Sequence, residues 1–445
     1  MNSILIFGAG KSATSLIQYL GKCSDEKHWN LVVCDADLPL AQSKITGSKT
    51  AKATSIDVGN ETQRKALIQQ ADVIISMLPP HLHFLVAKDC VECSKHLLTA
   101  SYIDAQIKSL EEELTKKKLL FLCEMGLDPG VDHMSAMKII HKIQTAGGEI
   151  ISFKSHCGGL VAPENDDNPW HYKITWNPGN IVMAGSSGAV YRNNGATVTV
   201  PYQEVFSNCS EVNVPGLFPL AWYPNRDSLS YINNYGLSDV GTFIRTTLRF
   251  SSFCRGWNKI VNMGFTSLHD LDEIKDCKTY AEWFRKKINN SSYSASFKNE
   301  PGNRNVEFFD DEFLQQIDYL GIRDEAPIGF TFTSSAYIIQ RLLETKLGIH
   351  SHEKDMIVMV HEIGYTLNGE NKMIVSSLIV KGTDQIHTAM AKTVGLPLGI
   401  AAKLIMEEKI KLTGLHIPTL PEIYEPVLEE LEQYSIKFNE EMSSL

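Results

Sequence analysis

Residues 4–13 read Ile-Leu-Ile-Phe-Gly-Ala-Gly-Lys-Ser-Ala. An apolar run that leads directly into a GxGxxA turn is typical of a buried strand followed closely by a helix. Similar short apolar runs recur at 31–34, 72–75, 96–99 and 119–122, with helical segments between them. Runs of this length fit strands buried on both faces of a parallel sheet. The alternation therefore predicts an α/β fold with a doubly wound Rossmann sheet.

The sequence pattern changes near residue 126. Segments rich in Thr, Tyr, Trp and Val follow, with hairpin signals at Asn193-Asn194-Gly195 and at Asn368-Gly369. Residues 143–255 and 355–382 are therefore predicted to form a mixed or antiparallel sheet in a second, α+β domain. Between them we predict a helical insertion, in which the polar stretch 289–305 is expected to be mobile. From residue 388 the chain is predicted to be helical again.

The length of 445 residues exceeds the usual size of a single hydrophobic core. We predict a Rossmann domain over 1–128 that residues 388–445 complete, an α+β domain over 129–256 and 351–387, and a helical insertion subdomain over 257–350.

The charge, the apolar runs and the cysteines of the sequence indicate which partners and which cell compartment to expect. The net charge of −10 is spread along the chain, which disfavours nucleic-acid binding because that requires a basic patch. We expect no apolar run of the length of a membrane span, and the first residues lack the positive segment of a signal peptide. Nine scattered cysteines suit a reducing compartment. We therefore expect a cytoplasmic protein with no membrane partner and no metal.

The glycine-rich turn predicts a dinucleotide site. Gly8 permits a tight turn, Gly10 lets the backbone approach a diphosphate, and Ala13 allows the helix to pack closely on the sheet. The N-terminus of that helix then offers its amides to the anion. The alternative interpretation is a glycine turn in a sheet that binds nothing.

Two aspartates refine the predicted cofactor site. Asp35 closes the second strand, where a carboxylate can bind ribose hydroxyls and would repel a 2′-phosphate, so NAD is predicted over NADP. Asp57 follows the third strand, where a contact to the adenine edge and a simple turn or cap both remain open. The predicted cofactor contacts are Gly8, Ala9, Gly10, Lys11, Ser12, Asp35, Asp57, Val58, Met77, Leu78 and Leu127.

Several polar groups follow strands at the end where a substrate would meet a nicotinamide. Tyr102 ends the fifth strand, Asp128 follows the sixth, and Cys157 closes the first strand of the second region. They are the candidate catalytic residues. Each has a structural alternative, because Asp128 could be only a helix N-cap, Tyr102 a wall of the cleft and Cys157 a small buried apolar residue.

Three arginines could bind an acidic substrate. Arg226 lies within a turn, and Arg245 and Arg249 share one face if their segment is a strand. Guanidinium groups suit carboxylate binding, although solvated surface arginines with local partners are commoner. His81 and His83 are interpreted as rim or surface histidines, since no third metal ligand is apparent.

Longer strings of sequence resemble the saccharopine reductase, or glutamate-forming saccharopine dehydrogenase, family. They are residues 126–133 (GLDPGVDH), 157–164 (CGGLVAPE), 167–169 (DNP), 172–176 (YKITW), 223–228 (YPNRDS) and 390–395 (MAKTVG). The resemblance implies a second domain for substrate binding and dimerisation, and a homodimer. It implies that saccharopine is contacted by Ser101, Tyr102, Asp128, Arg226, Thr246, Thr247, Leu248 and Arg249, with Cys157 near the reacting amine. Arg245 is added as a predicted substrate contact because of its even spacing from Arg249.

The resemblance also implies the reaction. Hydride leaves the carbon beside the secondary amine of saccharopine, and water hydrolyses the resulting imine to glutamate and 2-aminoadipate 6-semialdehyde, a step of lysine metabolism. Asp128 is the best candidate to assist the proton transfers, with Tyr102 and Cys157 in support. One departure is that NADP-using members resemble one another in an arginine after the second strand, where this chain has Asp35. The alternatives are a carboxynorspermidine-type dehydrogenase, which would need fewer arginines and more acidic residues, and a non-catalytic NAD-binding sensor.

Overall fold

The computed structural model describes residues 2–290 and 309–444. The chain divides into two compact units, one formed by Met1–Ile150 with Tyr365–Leu445 and the other by Ile151–Gly364. Of the polar stretch expected to be mobile, residues 289 and 290 close a helix and residues 291–305 lie outside the described residues.

Strands occur along the described chain from residue 3 to residue 444. In chain order they are β1 (Ser3–Phe7), β2 (Asn30–Asp35), β3 (Ala51–Ser55), β4 (Val73–Ser76), β5 (His96–Thr99), β6 (Leu120–Leu122), β7 (Glu149–Val161), β8 (Ala189–Asn193), β9 (Ala196–Val200), β10 (Ser210–Val212), β11 (Leu220–Pro224), β12 (Arg226–Asp227), β13 (Thr242–Arg249), β14 (Asp355–Leu367), β15 (Glu370–Lys381), β16 (Gly414–His416) and β17 (Asn439–Ser444).

The described helices are α1 (Thr14–Lys27), α2 (Leu38–Lys44), α3 (Glu61–Gln69), α4 (His83–Glu92), α5 (Ala105–Lys108), α6 (Glu111–Lys117), α7 (Val131–Thr145), α8 (Pro178–Val182), α9 (Ser230–Asn234), α10 (Ser251–Asn262), α11 (Leu271–Ile274), α12 (Tyr280–Asn290), α13 (Asp311–Leu320), α14 (Ser335–Lys346), α15 (Ala389–Met406) and α16 (Pro421–Gln433). Short 3₁₀ helices lie at Lys11–Ala13 and Pro80–Leu82.

The first unit contains a seven-stranded parallel sheet in the order β16-β6-β5-β4-β1-β2-β3. The strand order reverses between β1 and β4, and in such sheets ligands bind outside the carboxyl ends of the strands at that point. The predicted Rossmann sheet is therefore confirmed. The seventh strand, β16, comes from the C-terminal segment that was predicted to complete the domain.

The prediction that the chain is helical from residue 388 onward is only partly right, because this segment also contains two strands. Helix α15 begins after Thr388, whose Oγ1 accepts a hydrogen bond from the amide of Ala391 at 2.9 Å. Strand β16 follows it, and β17 pairs antiparallel with β15. The predicted boundary at residue 128 also differs from the observed division, because α7 packs against α16 and so lies in the first unit.

Helix α15 contradicts the expectation about apolar runs. Among the described residues it alone is long and apolar enough to cross a membrane, by length and composition only. However, 78% of the helix is buried within the protein. A Cβ atom at Gly395 would lie 2.7 Å from the amide nitrogen of Leu16, and one at Gly399 would lie 2.7 Å from Cδ1 of Tyr19. The two glycines thus allow α15 to pack tightly on α1.

The second unit contains a mixed sheet in the order β10-β11-β13-β7-β14. Strand β13 runs parallel to β7 and antiparallel to β11. The predicted hairpin at residues 193–195 is formed by β8 and β9, with left-handed φ values of 48° at Asn194 and 80° at Gly195. Both values are what a two-residue type I′ turn requires.

The helices of the second unit share one core with its sheet. Trp257 of α10, Trp283 of α12 and Phe313 of α13 belong to the same buried cluster as Tyr223 of β11. Because these side chains pack together, residues 257–350 are not a separate compact unit, unlike the subdomain that the sequence pattern predicted.

Candidate cofactor and substrate sites

The glycine turn lies at the switch point of the parallel sheet. Gly8 has a left-handed φ of 99°, and a Cβ atom there would lie 2.9 Å from the carbonyl oxygen of Met77. Around Gly10, by contrast, no described heavy atom lies within 4 Å of the position that a Cβ would take. A 3₁₀ turn at Lys11–Ala13 then precedes α1. A tight turn, an open backbone and a helix start in succession fit the diphosphate of a dinucleotide.

Asp35 ties the end of β2 to the glycine turn. Its Oδ2 accepts a hydrogen bond from the amide of Ala9 at 2.7 Å, and its Oδ1 accepts one from the amide of Asp37 at 2.9 Å. Both carboxylate oxygens therefore bind backbone. Asp57 is exposed, and its Oδ1 accepts a hydrogen bond from the amide of Gly59 at 2.8 Å. This hydrogen bond fits the alternative in which Asp57 stabilises a turn. A contact of Asp57 to the adenine stays a prediction.

The other predicted cofactor contacts surround the same strand ends. Met77 and Leu78 are half-buried directly after β4, and the amide of Met77 donates to the carbonyl oxygen of Phe7 at 2.8 Å. Lys11 is exposed, whereas Ser12 and Val58 are half-buried and Ala9 and Leu127 are buried. All belong to the first unit.

The segment of Ser101 and Tyr102 is held by a buried acid that sequence reasoning missed. The amide of Glu124 donates to the carbonyl oxygen of Ser101 at 3.1 Å, and Oε1 of Glu124 accepts from the amide of Ile103 at 3.2 Å. The other oxygen, Oε2, lies 2.9 Å from Nε2 of His133, and both side chains are buried. The sequence signal was a charged residue at the end of the apolar run 119–123.

Asp128 is not a helix N-cap, contrary to that interpretation. Helix α7 begins at Val131 after Gly130, which has a φ of 146° and no side-chain cap. The amide of Gly130 instead donates to Oδ1 of Asp132 at 2.6 Å. Asp128 itself is half-buried and precedes a cis peptide bond to Pro129. A catalytic role for Asp128 stays a prediction.

The interpretation of His83 as a rim or surface residue is wrong. Its side chain is buried, with Nδ1 lying 2.7 Å from Oγ of Ser76 and Nε2 lying 2.7 Å from Oγ of Ser101. Burial lowers the pKa of His83 to about 4, because the charged imidazolium would lose its hydration. His81 is exposed, as expected.

In the second unit, the alternation of β13 divides the predicted substrate stretch between two faces. Thr247 pairs with Cys157 of the parallel strand β7, so their side chains share a face with Arg245 and Arg249. This confirms that the two arginines lie on one face. Thr246 pairs with His156 on the opposite face, and their side chains lie 2.7 Å apart.

The two arginines of this face are buried, so the interpretation of them as solvated surface residues is wrong. The guanidinium of Arg245 lies 4.4 Å from the ring centre of Tyr231, and that of Arg249 lies 4.9 Å from the ring centre of Tyr172. Nη1 of Arg249 donates to the carbonyl oxygen of Leu248 at 2.7 Å, while its Nε has no hydrogen-bond partner. Among the described residues no carboxylate pairs with Arg249. A buried cation in this state suits an anionic ligand.

On the opposite face of the sheet, the His156 side chain is hydrogen-bonded through both of its ring nitrogens. Nε2 of His156 lies 3.1 Å from Oε2 of Glu362, and Nδ1 lies 2.7 Å from Oγ1 of Thr246. Burial lowers the pKa of His156 in spite of the neighbouring carboxylate. The neutral ring donates to Glu362 and accepts from Thr246. The side chains of Thr246 and Leu248 therefore do not join the arginine face, and their contacts to a substrate stay predictions.

Two further features complete the candidate sites. Arg226 is exposed, with a left-handed φ of 52°, and lies in the short strand β12, which pairs with β8.

In the first unit the carboxylates of Glu61, Asp89 and Glu92 lie within 4.8 Å of one another. Their charge is compensated by Arg64 and Lys65, which form ion pairs of 2.5 to 2.6 Å with them.

Comparison with protein families identifies both halves of the chain. A model of the saccharopine dehydrogenase NADP binding domain matches residues 4–122, and a model of the saccharopine dehydrogenase C-terminal domain matches residues 126–436. The chain belongs to the saccharopine dehydrogenase family. The family resemblance of the sequence strings is thereby confirmed.

Curated members of the family match along nearly the whole chain. The chain is 33% identical to an alpha-aminoadipic semialdehyde synthase of Arabidopsis thaliana over 95% of its own length, but spans only 42% of that protein. It is 31% identical to the NADP(+)-dependent, L-glutamate-forming saccharopine dehydrogenase of Saccharomyces cerevisiae over 98% of both chains. The solved apo structure of an L-Glu-forming saccharopine dehydrogenase from S. cerevisiae matches with a TM-score of 0.89 and 30% identity, covering 100% of both chains.

The prediction of NAD over NADP is wrong. The family model is that of an NADP binding domain, and the S. cerevisiae relative is named for NADP(+). The prediction relied on Asp35 as a ligand of the ribose hydroxyls. In the structure both oxygens of this carboxylate bind backbone amides, so its presence after β2 has a structural cause and does not decide the cofactor.

Proposed function

We propose that this chain oxidises the secondary amine of saccharopine with NADP and forms glutamate and 2-aminoadipate 6-semialdehyde. The observation that carries the proposal is the buried guanidinium of Arg249, which has no carboxylate partner among the described residues and shares its face with Cys157. Keeping a cation buried is costly unless an anion neutralises it. Saccharopine supplies carboxylates, and family membership supports the same substrate.

The residues have distinct tasks in this proposal. Arg249 and Arg245 bind substrate carboxylates and thereby fix the carbon that loses hydride, with Arg226 as a further contact. NADP, when bound, accepts the hydride. Asp128 takes up the proton that the amine must lose before hydride can leave, and Tyr102 assists. Water then adds to the imine carbon, and the C–N bond breaks to release the aldehyde and the amine of glutamate.

The structure offers a cation for the 2′-phosphate of NADP. Lys44, in the last turn of α2, donates to Oγ1 of Thr14 at the start of α1. No carboxylate pairs with Lys44 within the described chain, and burial lowers its pKa. We propose that Lys44, with the exposed Lys11, neutralises the 2′-phosphate.

The proposed function is tested by following the absorbance of the reduced cofactor when purified protein is mixed with NADP and saccharopine. We expect saccharopine-dependent reduction of NADP. A parallel reaction with carboxynorspermidine examines the alternative dehydrogenase. Activity with carboxynorspermidine and none with saccharopine would refute the substrate, and binding of NADP with no turnover of either amine would favour a sensor.

We further propose a cytoplasmic homodimer without nucleic-acid or membrane partners. The dispersed negative charge supports the absence of nucleic acid. Sedimentation equilibrium of the purified chain tests the dimer, which a mass equal to one chain would contradict. Imaging of a tagged chain in its cell of origin tests the compartment.

A further inference from the structure

His83 connects two serines that follow neighbouring strands of the parallel sheet. Ser76 is the last residue of β4, and Ser101 lies shortly after β5. Nδ1 of His83 lies 2.7 Å from Oγ of Ser76, and Nε2 lies 2.7 Å from Oγ of Ser101. Strands β4 and β5 pair in parallel, with Ser76 opposite Thr99, so all three side chains lie at the carboxyl edge of the sheet.

The direction of these hydrogen bonds follows from burial. The Ser76 side chain is completely buried, and among the described residues its Oγ has a single hydrogen-bond partner, Nδ1 of His83. A buried hydroxyl that failed to donate its proton would cost about 1–3 kcal/mol, whereas an unfilled lone pair on an oxygen that already takes part in a hydrogen bond costs less. Ser76 therefore donates to Nδ1.

The protonation of His83 determines the second bond. The imidazole is neutral at physiological pH, because burial lowers its pKa to about 4, with opposing effects of Asp104, which raises it, and His81, which lowers it. A neutral ring that accepts at Nδ1 carries its proton on Nε2. Nε2–H then donates to Oγ of Ser101. Ser101 is only half-buried, and its own proton remains available for a further acceptor.

We propose that Ser76 and His83 are positioning residues that hold the Ser101 hydroxyl as a hydrogen-bond donor to an oxygen atom of the bound substrate. Without Ser76, either ring nitrogen of His83 can carry the proton, and Ser101 can turn to donate to the ring. The hydroxyl would then present a lone pair to the substrate oxygen, which repels it. The identity of the acceptor rests on the proposed function, whereas the direction of the two hydrogen bonds does not.

The direction is tested by long-range ¹H–¹⁵N NMR of protein labelled with ¹⁵N-histidine, with His83→Gln used to assign the signal. We expect the Nε2–H tautomer of His83 between about pH 5.5 and 8, a range well above the lowered pKa. In Ser76→Ala we expect a mixture of tautomers. A signal from the Nδ1–H tautomer or from imidazolium in the wild-type protein at neutral pH would overturn the proposal, whether or not saccharopine is the substrate.

The coupling to Ser101 is tested by a double-mutant cycle on the KM for saccharopine. Ser76→Ala should raise KM roughly 3- to 10-fold, the effect of one hydrogen bond, with little change in the KM for NADP. In a Ser101→Ala background the same change should have no further effect, because Ser76 acts only through Ser101. Ser109→Ala, at an exposed serine after α5, serves as a control that leaves KM unchanged. Equal, additive effects of Ser76→Ala in both backgrounds would show a merely structural role and refute the relay.

Discussion

Arg249 illustrates how the environment of one side chain can indicate a ligand. Its guanidinium is buried between the rings of Tyr172 and Phe253, at 4.9 and 5.6 Å from their centres, and donates to a backbone carbonyl. Aromatic rings and one carbonyl compensate only part of the hydration that a buried charge loses. The residue therefore lowers the stability of the unliganded protein and is expected to be retained for binding.

We predict that Arg249→Met raises the KM for saccharopine about 100-fold, the loss of a charge-assisted hydrogen-bonded pair of roughly 3 kcal/mol. The midpoint of thermal unfolding should stay the same or rise, since the uncompensated charge is gone. Steady-state kinetics and calorimetry measure both. Arg255→Met is the matched control, because Arg255 is exposed and pairs with Glu312. An unchanged KM for Arg249→Met would contradict the assignment.

His83 predicts a dependence of stability on pH. Its pKa is about 4 in the folded protein and 6.5 in an unfolded chain, so the unfolded state binds more protons between these values. The free energy of unfolding therefore falls as the pH is lowered from 6.5 to 4, by up to about 3 kcal/mol. In His83→Gln this part of the acid destabilisation should be absent, whereas His81→Gln should behave like the wild type. Denaturant unfolding at several pH values measures the difference, and identical pH slopes in wild type and His83→Gln would contradict the burial of a neutral imidazole.

At the scale of elements, helices α3 and α4 are joined by a buried ion pair. Nε of Arg64 lies 2.6 Å from Oδ2 of Asp89, and the side chains are only 5% and 1% exposed. Nη1 of Arg64 also donates to the carbonyl oxygen of Val58, just after β3. The pair thus fixes α3, α4 and the strand end beside the candidate adenine contact.

We predict that Arg64→Met lowers the free energy of unfolding by about 3–5 kcal/mol, because the buried carboxylate of Asp89 loses its hydrogen-bonded cation and keeps only Lys65, whose Nζ lies 4.0 Å from Oδ1 of Asp89. The double substitution Arg64→Met with Asp89→Leu should recover most of that loss. Lys65→Met, which removes the more exposed cation of the same cluster, should cost no more than about 1 kcal/mol. Urea unfolding tests the series. A double variant as unstable as Arg64→Met alone would show that the ion pair is not the cause.

Elements whose own sequence specifies them were predictable, and elements specified by distant contacts were not. The runs of β1 and β5 are buried on both sides and were located to within one residue, and the asparagine–glycine turn fixed the hairpin of β8 and β9. The start of α7 was missed because Asp128-Pro129 resembles the start of a helix. The helix instead begins after Gly130, where a Cβ atom would clash with the backbone of Gly126. Strands β16 and β17 were missed because their pairing partners are remote in sequence.

The candidate site was predictable to a similar degree. The glycine turn and the arginine face follow from local pattern. The roles of Glu124, His83 and His156 do not, since each depends on hydrogen-bond partners brought together only by the fold. Asp35 misled the cofactor prediction for the same reason, because its backbone partners cannot be inferred from spacing.

At the scale of the whole molecule, membership of the saccharopine dehydrogenase family supports the oxidation of a single substrate, saccharopine. Saccharopine has a carbon on either side of its secondary amine, and the choice between them defines the enzyme. Hydride loss from the lysine-derived carbon gives glutamate and 2-aminoadipate 6-semialdehyde. Hydride loss from the glutamate-derived carbon would give lysine and a 2-oxo acid.

The products of saccharopine oxidation by the purified chain with NADP distinguish these two reactions. Chromatography of the amino acids, alongside the amount of reduced cofactor, gives the ratio of product to hydride transferred. We expect one glutamate for each NADP reduced. Lysine in place of glutamate, or no amino acid formed from saccharopine by protein that binds NADP, would contradict this expectation.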